Sequence, residues 1–190
     1  MAGQTQTGSI ARTILKGIAI TGMVLIAASS PYGAPRLLQA LGKELERRKW
    51  RQVQKVLHDL KKRKLVRMKF LGDGALEVRI TKKGDGIVRK IKIDELAIPQ
   101  PNHWDERWRV MIFDIPNHKH KYRLAFIQKL KNLGFRMIQK SVWVHPYPCD
   151  EEIMIVRKFY GIEPYVTYLE TAHVEDENVW REKFDLPFRK

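Results

Sequence analysis

The fold is decided by residues 108–147, WRVMIFDIPNHKHKYRLAFIQKLKNLGFRMIQKSVWVHPY. Residues 110–113 are a continuous apolar run, which is typical of a strand buried on both faces. Pro116 ends that strand because proline lacks the N–H group that a ladder needs. Apolar side chains then recur at helical spacing over residues 122–133, and residues 137–144 are typical of a second strand. The stretch therefore predicts half of a ferredoxin-like βαββαβ unit.

The rest of this unit is predicted from residues 104–190. The expected strands lie at about 107–114, 136–145 and 164–172, and a helix is expected at about 150–160, with three acids in its first turn. A fourth strand is either hidden in the second of these segments or supplied by a partner subunit. Residues 179–190 are expected to form a short helix or an arm.

The first half of the chain predicts a winged helix-turn-helix. The expected helices are 10–28, 35–46 and 48–63, and the two strands of the wing are 65–70 and 76–81, joined by the turn Gly72-Asp73-Gly74. Residues 82–96 lead out of the wing. The predicted organisation is a disordered tail over 1–9, a DNA-binding domain over 10–97, a proline-containing linker over 98–103 and the ferredoxin-like domain over 104–190. The fold class is α+β.

Positive charge is concentrated in the first half of the chain. The formal net charge is +15, and residues 1–100 hold 21 Lys and Arg against 8 Asp and Glu, whereas residues 101–190 hold 15 against 13. Such a footprint predicts a polyanionic partner, with nucleic acid favoured over an anionic membrane surface. A recognition helix over 48–63 and the wing would present the charge to double-stranded DNA. The candidate DNA-binding residues are Arg48, Arg51, Gln52, Lys55, Lys62, Arg63, Lys69, Arg79, Lys82 and Lys83; the alternative is a solvated helix face.

The apolar segment 17–28 has two interpretations. It follows Arg12 and Lys16 and precedes small residues, as in a signal peptide. It is short for a membrane span, carries two glycines and leads into a basic region, so a buried helix is the preferred interpretation. The chain has one cysteine, Cys149, which excludes an intramolecular disulfide. A cytoplasmic protein without membrane partners is therefore expected.

Asp114 stands at the end of the first strand of the ferredoxin-like unit. It is either a metal ligand of a nuclease or a structural carboxylate that caps the following helix and pairs with Arg123 or Lys121. His118 and His120 lie nearby and could bind a metal or a phosphate, although loop histidines are usually just exposed. Magnesium often takes one or two protein carboxylates, so two copies of Asp114 across a two-fold axis could suffice.

Several motifs in this region resemble a known family. The block FDIP, followed by KYR, LGF and QKSVWVHPY, resembles the central domain of the PaaX-like transcriptional regulators. That domain is in turn similar to the small CRISPR-associated adaptation nuclease, the Cas-two protein. The resemblance to that nuclease implies that Asp114 is a magnesium ligand. PaaX-like regulators usually carry a further C-terminal domain associated with an acyl-CoA effector, so this chain resembles a shortened member and no such ligand is expected.

The leading functional prediction is a homodimeric DNA-binding repressor that requires no cofactor. The strand with Trp143, His145 and Tyr147 could supply the dimer interface, although Trp143 could equally be core. The second prediction is a magnesium-dependent nuclease of the CRISPR-adaptation type in which Asp114 is the catalytic residue. The third is a non-catalytic structural nucleic-acid binder or a membrane-associated adaptor that uses residues 12–28.

Overall fold

A computed structural model describes residues 2–21, 23–27, 50–71 and 75–187. The chain forms two compact units of mixed α/β structure, residues 1–92 and residues 93–190, here called the N-terminal and C-terminal units. The division falls ahead of the predicted linker at 98–103. Ile98 is already buried in the core of the C-terminal unit, so the linker prediction is placed too late in the chain.

The N-terminal unit combines helices with a three-stranded sheet. Its elements are α1 (Ala2–Thr21), β1 (Met23–Ala27), α2 (Trp50–Lys62), β2 (Val66–Phe70), β3 (Ala75–Ile80) and most of α3 (Lys82–Glu95). The sheet is antiparallel with the order β1-β3-β2. Val53, Leu57 and Leu60 recur at helical spacing on α2, and they are buried in one core cluster with Ile14 and Ile18 of α1.

Two predictions for the start of the chain are wrong. Residues 1–9 were expected to be disordered, but α1 already begins at Ala2, since each further residue adds a hydrogen bond to an existing helix. The helix predicted over 10–28 ends at Thr21, and Met23–Ala27 forms a strand that pairs with β3. A short apolar run does not distinguish a buried helix from a strand, and here sheet pairing decides. The helix predicted over 35–46 lies outside the described residues.

The segment after the second strand of the sheet is helical. Residues 82–96 were predicted only as a tail that leads out of the wing, but Lys82–Glu95 forms a helix. A Cβ atom at Gly84 would lie 2.1 Å from the carbonyl oxygen of Leu65, and Thr81 Oγ1 accepts a hydrogen bond from the Gly84 N–H at 3.0 Å. Gly84 is therefore required by the close approach of Leu65 at the start of the helix.

The C-terminal unit has the predicted order of strands and helices. Its elements are β4 (Trp108–Phe113), a 3₁₀ turn (Asn117–Lys119), α4 (His120–Asn132), β5 (Arg136–Gln139), β6 (Val142–His145), α5 (Asp150–Tyr160), a second 3₁₀ turn (Glu163–Tyr165), β7 (Val166–Thr171) and α6 (Glu177–Lys183). The sheet order is β5-β6-β4-β7, with every pair antiparallel. The segment predicted as one strand, 136–145, is a hairpin. The fourth strand was therefore hidden in that segment, which is one of the two predicted alternatives.

Both faces of this sheet contribute to packing. Met111 and Phe113 of β4 lie in a core cluster with Phe126 of α4 and Ile153 of α5. Trp108 and Val110 alternate with them along the strand, so they point to the opposite face, where they cluster with Trp180 of α6 and other apolar side chains. The short helix α6 thus confirms one of the two predictions for the C-terminus and supplies a second apolar cluster.

A buried arginine organises one end of the sheet. Arg109 is 2% exposed, and its guanidinium donates to both carboxylate oxygens of Asp105 and to the carbonyl oxygen of Pro146 at 2.7 Å. Its Nε lies 3.5 Å from a carboxylate oxygen of Glu170. The hydrogen bond from Arg109 lowers the pKa of Asp105. The cluster therefore keeps a buried cation paired.

Candidate nucleic-acid interface

The structure distributes the predicted DNA-binding residues over two surfaces of the N-terminal unit. Gln52, Lys55 and Lys62 are exposed on α2, and Arg63, directly after it, is exposed and forms an ion pair with Asp59 at 3.4 Å. Lys69 and Arg79 are exposed on β2 and β3. Lys82 and Lys83 were assigned to the wing, but they lie in the first turn of α3. Arg48, and the side chain of Arg51, are outside what the structure describes.

Four of the predicted residues, Lys69, Arg79, Lys82 and Lys83, line one concave surface that encloses a volume of about 1020 Å³. It is called here the N-terminal basic surface, and it is lined by seven cations and one carboxylate, Glu77. The cations are Lys61, Lys64, Arg67, Lys69, Arg79, Lys82 and Lys83. Among the described residues, only Arg79 of these seven forms an ion pair, with Glu77 at 2.7 Å. The surface therefore presents a strong excess of unneutralised positive charge.

Strand register explains why this charge converges. Arg67 lies directly opposite Arg79 in the β2–β3 pair, and Lys69 lies opposite Glu77. Residues two apart on a strand share a face, so these side chains point away from Val66 and Val78, which face the core. Like charges directly opposite each other destabilise a sheet. A polyanion bound over this face of the sheet would offset the repulsion between the two arginines.

Sequence reasoning missed Lys61, Lys64 and Arg67. The i, i+2 spacing of Arg67 and Lys69 was a usable signal, because it places both on one strand face. Lys64 could not have been placed, because it adopts a left-handed backbone conformation with φ of 59° in the turn after α2. Lys61 belongs to the helix prediction, but its proximity to the sheet depends on tertiary packing.

Asp114 is exposed immediately after β4. Its backbone N–H donates to the carbonyl oxygen of Tyr165 at 3.0 Å. Within the described ranges its carboxylate has no hydrogen-bond or ion-pair partner, so the predicted cap and the pairing with Arg123 or Lys121 are wrong. The helix that follows starts later, at His120, and has no side-chain cap. Among the residues that the structure describes, Asp114 is thus a strand-end carboxylate without a side-chain partner.

The described part of one chain does not assemble a metal centre around Asp114 by itself. No group of three or more His, Cys, Asp or Glu residues suited to a metal ion occurs in the described part of the chain. His118 and His120 are exposed, as the simpler of their two interpretations predicts. A magnesium site that uses Asp114 would therefore need ligands from a second copy or from a substrate.

The predicted interface strand is mostly buried inside its own unit. Trp143 and His145 are 2% and 3% exposed, and Tyr147 is half-buried. Trp143 belongs to the core cluster with Phe126, so of its two predicted roles the structure supports the core role. The assignment of Trp143 and His145 as surface anchors is wrong, because their burial leaves a partner subunit nothing to contact.

Burial also controls the ionisation of two groups near this strand. It lowers the pKa of His145 to about 4, and Nδ1 of the ring accepts a hydrogen bond from the Tyr147 N–H at 3.1 Å. It raises the pKa of the buried Cys149 thiol to about 12. Near neutral pH the His145 imidazole is therefore uncharged and Cys149 stays a thiol.

Comparison with known proteins identifies the second half of the chain. No helix among the described residues is long and apolar enough to cross a membrane. No curated protein matches the chain. Residues 101–180 match the family model of the PaaX protein central Cas2-like domain, which covers β4 through most of α6. This match confirms the resemblance predicted from the FDIP and QKSVWVHPY motifs: residues 101–180 are similar to the central Cas2-like domain of PaaX proteins, a family-level likeness that indicates a transcriptional regulator.

Proposed function

We propose that this protein is a transcriptional repressor that binds double-stranded DNA as a homodimer. The observation that carries the proposal is the N-terminal basic surface, where seven cations surround one carboxylate. Lys and Arg side chains that neutralise DNA phosphates release condensed counterions, which makes such a surface a strong and salt-dependent DNA contact. The antiparallel pair β2–β3, preceded by the basic helix α2, supports a winged helix as the DNA-binding module.

The exposed residues suit two kinds of DNA contact, to base edges from α2 and to phosphates from β2, β3 and the start of α3. Exposed Gln52 and Lys55 on α2 have the side-chain chemistry that reads base edges in a major groove. The cations of β2, β3 and the start of α3 would contact phosphates, which position the protein without reading sequence. A two-fold dimer would place two such modules on half-sites about one helical turn apart, ~34 Å.

The test is DNA binding by charge-matched variants. Labelled double-stranded DNA is titrated with the full chain, and binding is followed by anisotropy at several salt concentrations. We expect Lys61→Gln, Arg67→Gln and Lys69→Gln together to weaken binding at least tenfold and to lower the salt dependence by about 0.9 per lost phosphate contact. The control replaces Arg89, Lys90 and Lys92, which are exposed on α3 outside the surface. Equal affinities of the two variants would contradict the proposal.

The remaining parts of the proposal have their own readouts. Arg51→Glu with Lys55→Glu should abolish retardation of operator DNA if α2 is the recognition helix.

Light scattering should give twice the chain mass of 22.3 kDa for a homodimer. A reporter gene behind the operator should be silenced by the wild type and released by the triple variant. Activation of the reporter would exclude a repressor.

A second candidate function is supported by Asp114. An exposed strand-end carboxylate without a partner among the described residues is free to bind magnesium together with its symmetry mate. The protein would then be a metal-dependent nuclease. Incubation of DNA with the wild type and with Asp114→Ala, with and without magnesium, decides the matter on a denaturing gel. Magnesium-dependent fragments made only by the wild type would establish the nuclease, and intact DNA with both proteins would exclude it under these conditions.

A further inference from the structure

The nearly balanced charge of the second half of the chain conceals a marked segregation. Residues 115–149 hold seven Lys and Arg and no Asp or Glu, whereas residues 150–190 hold ten Asp and Glu against six Lys and Arg. The basic segment comprises α4, β5 and β6, and the acidic one comprises α5, β7 and α6. The C-terminal unit therefore has a basic region whose presence its net charge does not reveal.

Four cations of this region line one groove. The α4–β5 groove, of about 680 Å³, has Arg123 and Lys131 on one side and Arg136 and Lys140 on the other. Among the described residues none of the four forms an ion pair, and no carboxylate lines the groove. Unlike Arg109, which the same unit pairs with Asp105, these cations are left for an external anion.

The geometry suits an extended anion. Arg123 and Lys131 are eight residues apart on one face of α4, which separates them by about 12 Å along the helix. Measured along the axis of a DNA duplex, that length corresponds to roughly three base-pair steps of 3.4 Å each. Ile127, between the two cations, and Met137, 54% exposed, give the groove an apolar floor. A sugar–phosphate strand offers this pattern, because deoxyribose carbons alternate with phosphate oxygens.

We propose that the α4–β5 groove is a second contact for double-stranded DNA, in which its four cations bind the phosphates of one strand. The inference rests on the proposed function, since it extends the DNA footprint from the N-terminal unit to the C-terminal unit. Contacts of this kind carry no sequence information and add salt-dependent affinity. A single strand that stacks its bases is disfavoured, because Phe135 and Trp143 in the groove are 3% and 2% exposed.

The test compares two triple variants of the full chain with equal charge. The groove variant is Lys131→Gln, Arg136→Gln and Lys140→Gln; the control is Arg107→Gln, Lys158→Gln and Lys183→Gln, which are exposed residues of the same unit outside the groove. Anisotropy with a 30-base-pair duplex, measured over a salt series, should show at least tenfold weaker binding for the groove variant only. The slope of log K against log salt should fall by up to about 2.7 for three contacts.

The outcomes separate this inference from the proposed function. Unchanged affinity and slope in the groove variant, with loss of binding in the N-terminal triple variant, would overturn the groove alone. Loss in the groove variant with none in the N-terminal variant would support the groove and overturn the N-terminal basic surface. No DNA binding by the wild type would overturn both. Circular dichroism checks that each variant is folded.

Discussion

The buried charges of the C-terminal unit and the exposed charges of the N-terminal basic surface have opposite roles. Among the described residues, all four buried polar or charged side chains, Arg109, Lys129, His145 and Arg181, lie in the C-terminal unit. Arg109 and Arg181 are paired there with carboxylates. The N-terminal basic surface keeps its cations exposed, and most of them are unpaired. Charge in the first unit is therefore available to a ligand, whereas the buried charge of the second unit is part of its fold.

The largest effect that sharpens this comparison is expected at Arg109. Replacement of Arg109 by Met removes the ion-pair partner of Asp105 and one of two cations beside Glu170, and it leaves the Pro146 carbonyl with Trp104 Nε1 as its remaining donor. Breaking a buried ion pair costs roughly 3–5 kcal/mol, and the partial exposure of both acids favours the lower end, about 3 kcal/mol. Urea denaturation followed by tryptophan fluorescence measures it, since four of the five tryptophans lie in this unit. A loss below about 1 kcal/mol would remove the distinction between the units.

The next effect is a pH dependence caused by His145. Its pKa is lowered to about 4 in the folded chain, from an ordinary value of 6.5. Between these values the unfolded chain binds a proton that the folded chain does not. The contribution of His145 to the free energy of unfolding is therefore fully present above pH 6.5 and decreases as the pH falls toward 4. The slope from this group approaches about 1.4 kcal/mol per pH unit. The measured curve of His145→Gln should be flatter in this window; parallel curves would contradict the assignment.

A smaller effect is expected at Lys129. Its ammonium group donates to the carbonyl oxygens of Leu96 at 3.0 Å and Asp94 at 3.4 Å, and burial lowers its pKa. Lys129→Met removes these hydrogen bonds but also a desolvated charge, so we expect a net loss of only about 1 kcal/mol in urea denaturation. A stabilised variant would show that the desolvation cost of the buried ammonium group exceeds the contribution of its hydrogen bonds.

The smallest effect on stability is expected in the N-terminal unit. Arg67→Thr removes a like charge from the position opposite Arg79 and places a good strand former on β2. Thermal denaturation should therefore show no loss, and a gain of a few tenths of a kcal/mol is expected. DNA affinity should fall in the same variant. A destabilisation of more than 1 kcal/mol would mean that Arg67 serves the fold and would weaken the contrast with Arg109.

The sequence predicted the C-terminal unit better than the N-terminal one. Helix α5 begins at Asp150 and ends at Tyr160, as predicted, because acids at its start and Gly161 after it are strong local signals. The turn between β5 and β6 was missed because Lys140-Ser141 carries neither glycine nor proline. Strand β1 was missed because only pairing with β3 distinguishes Met23–Ala27 from a helix.

Site residues could be predicted only where charged residues lie on helices or strands that the sequence itself predicts. Lys69 and Arg79 were found because they lie on strands that the sequence reveals. The burial of Trp143 and His145 depends on how both sheet faces are covered, which alternation along β6 alone does not tell. The α4–β5 groove was overlooked because a net charge summed over a half of the chain averages basic α4 with acidic α5.

The exposed carboxylate of Asp114 affects how this domain tolerates mutation. Because its side chain has no partner in the described part of the chain and is exposed, the fold imposes no demand on its identity. Substitution there should change the free energy of unfolding by no more than an ordinary surface substitution does, about 0.5 kcal/mol. If Asp114 binds magnesium, a change of one codon would therefore remove that ligand and leave the domain folded.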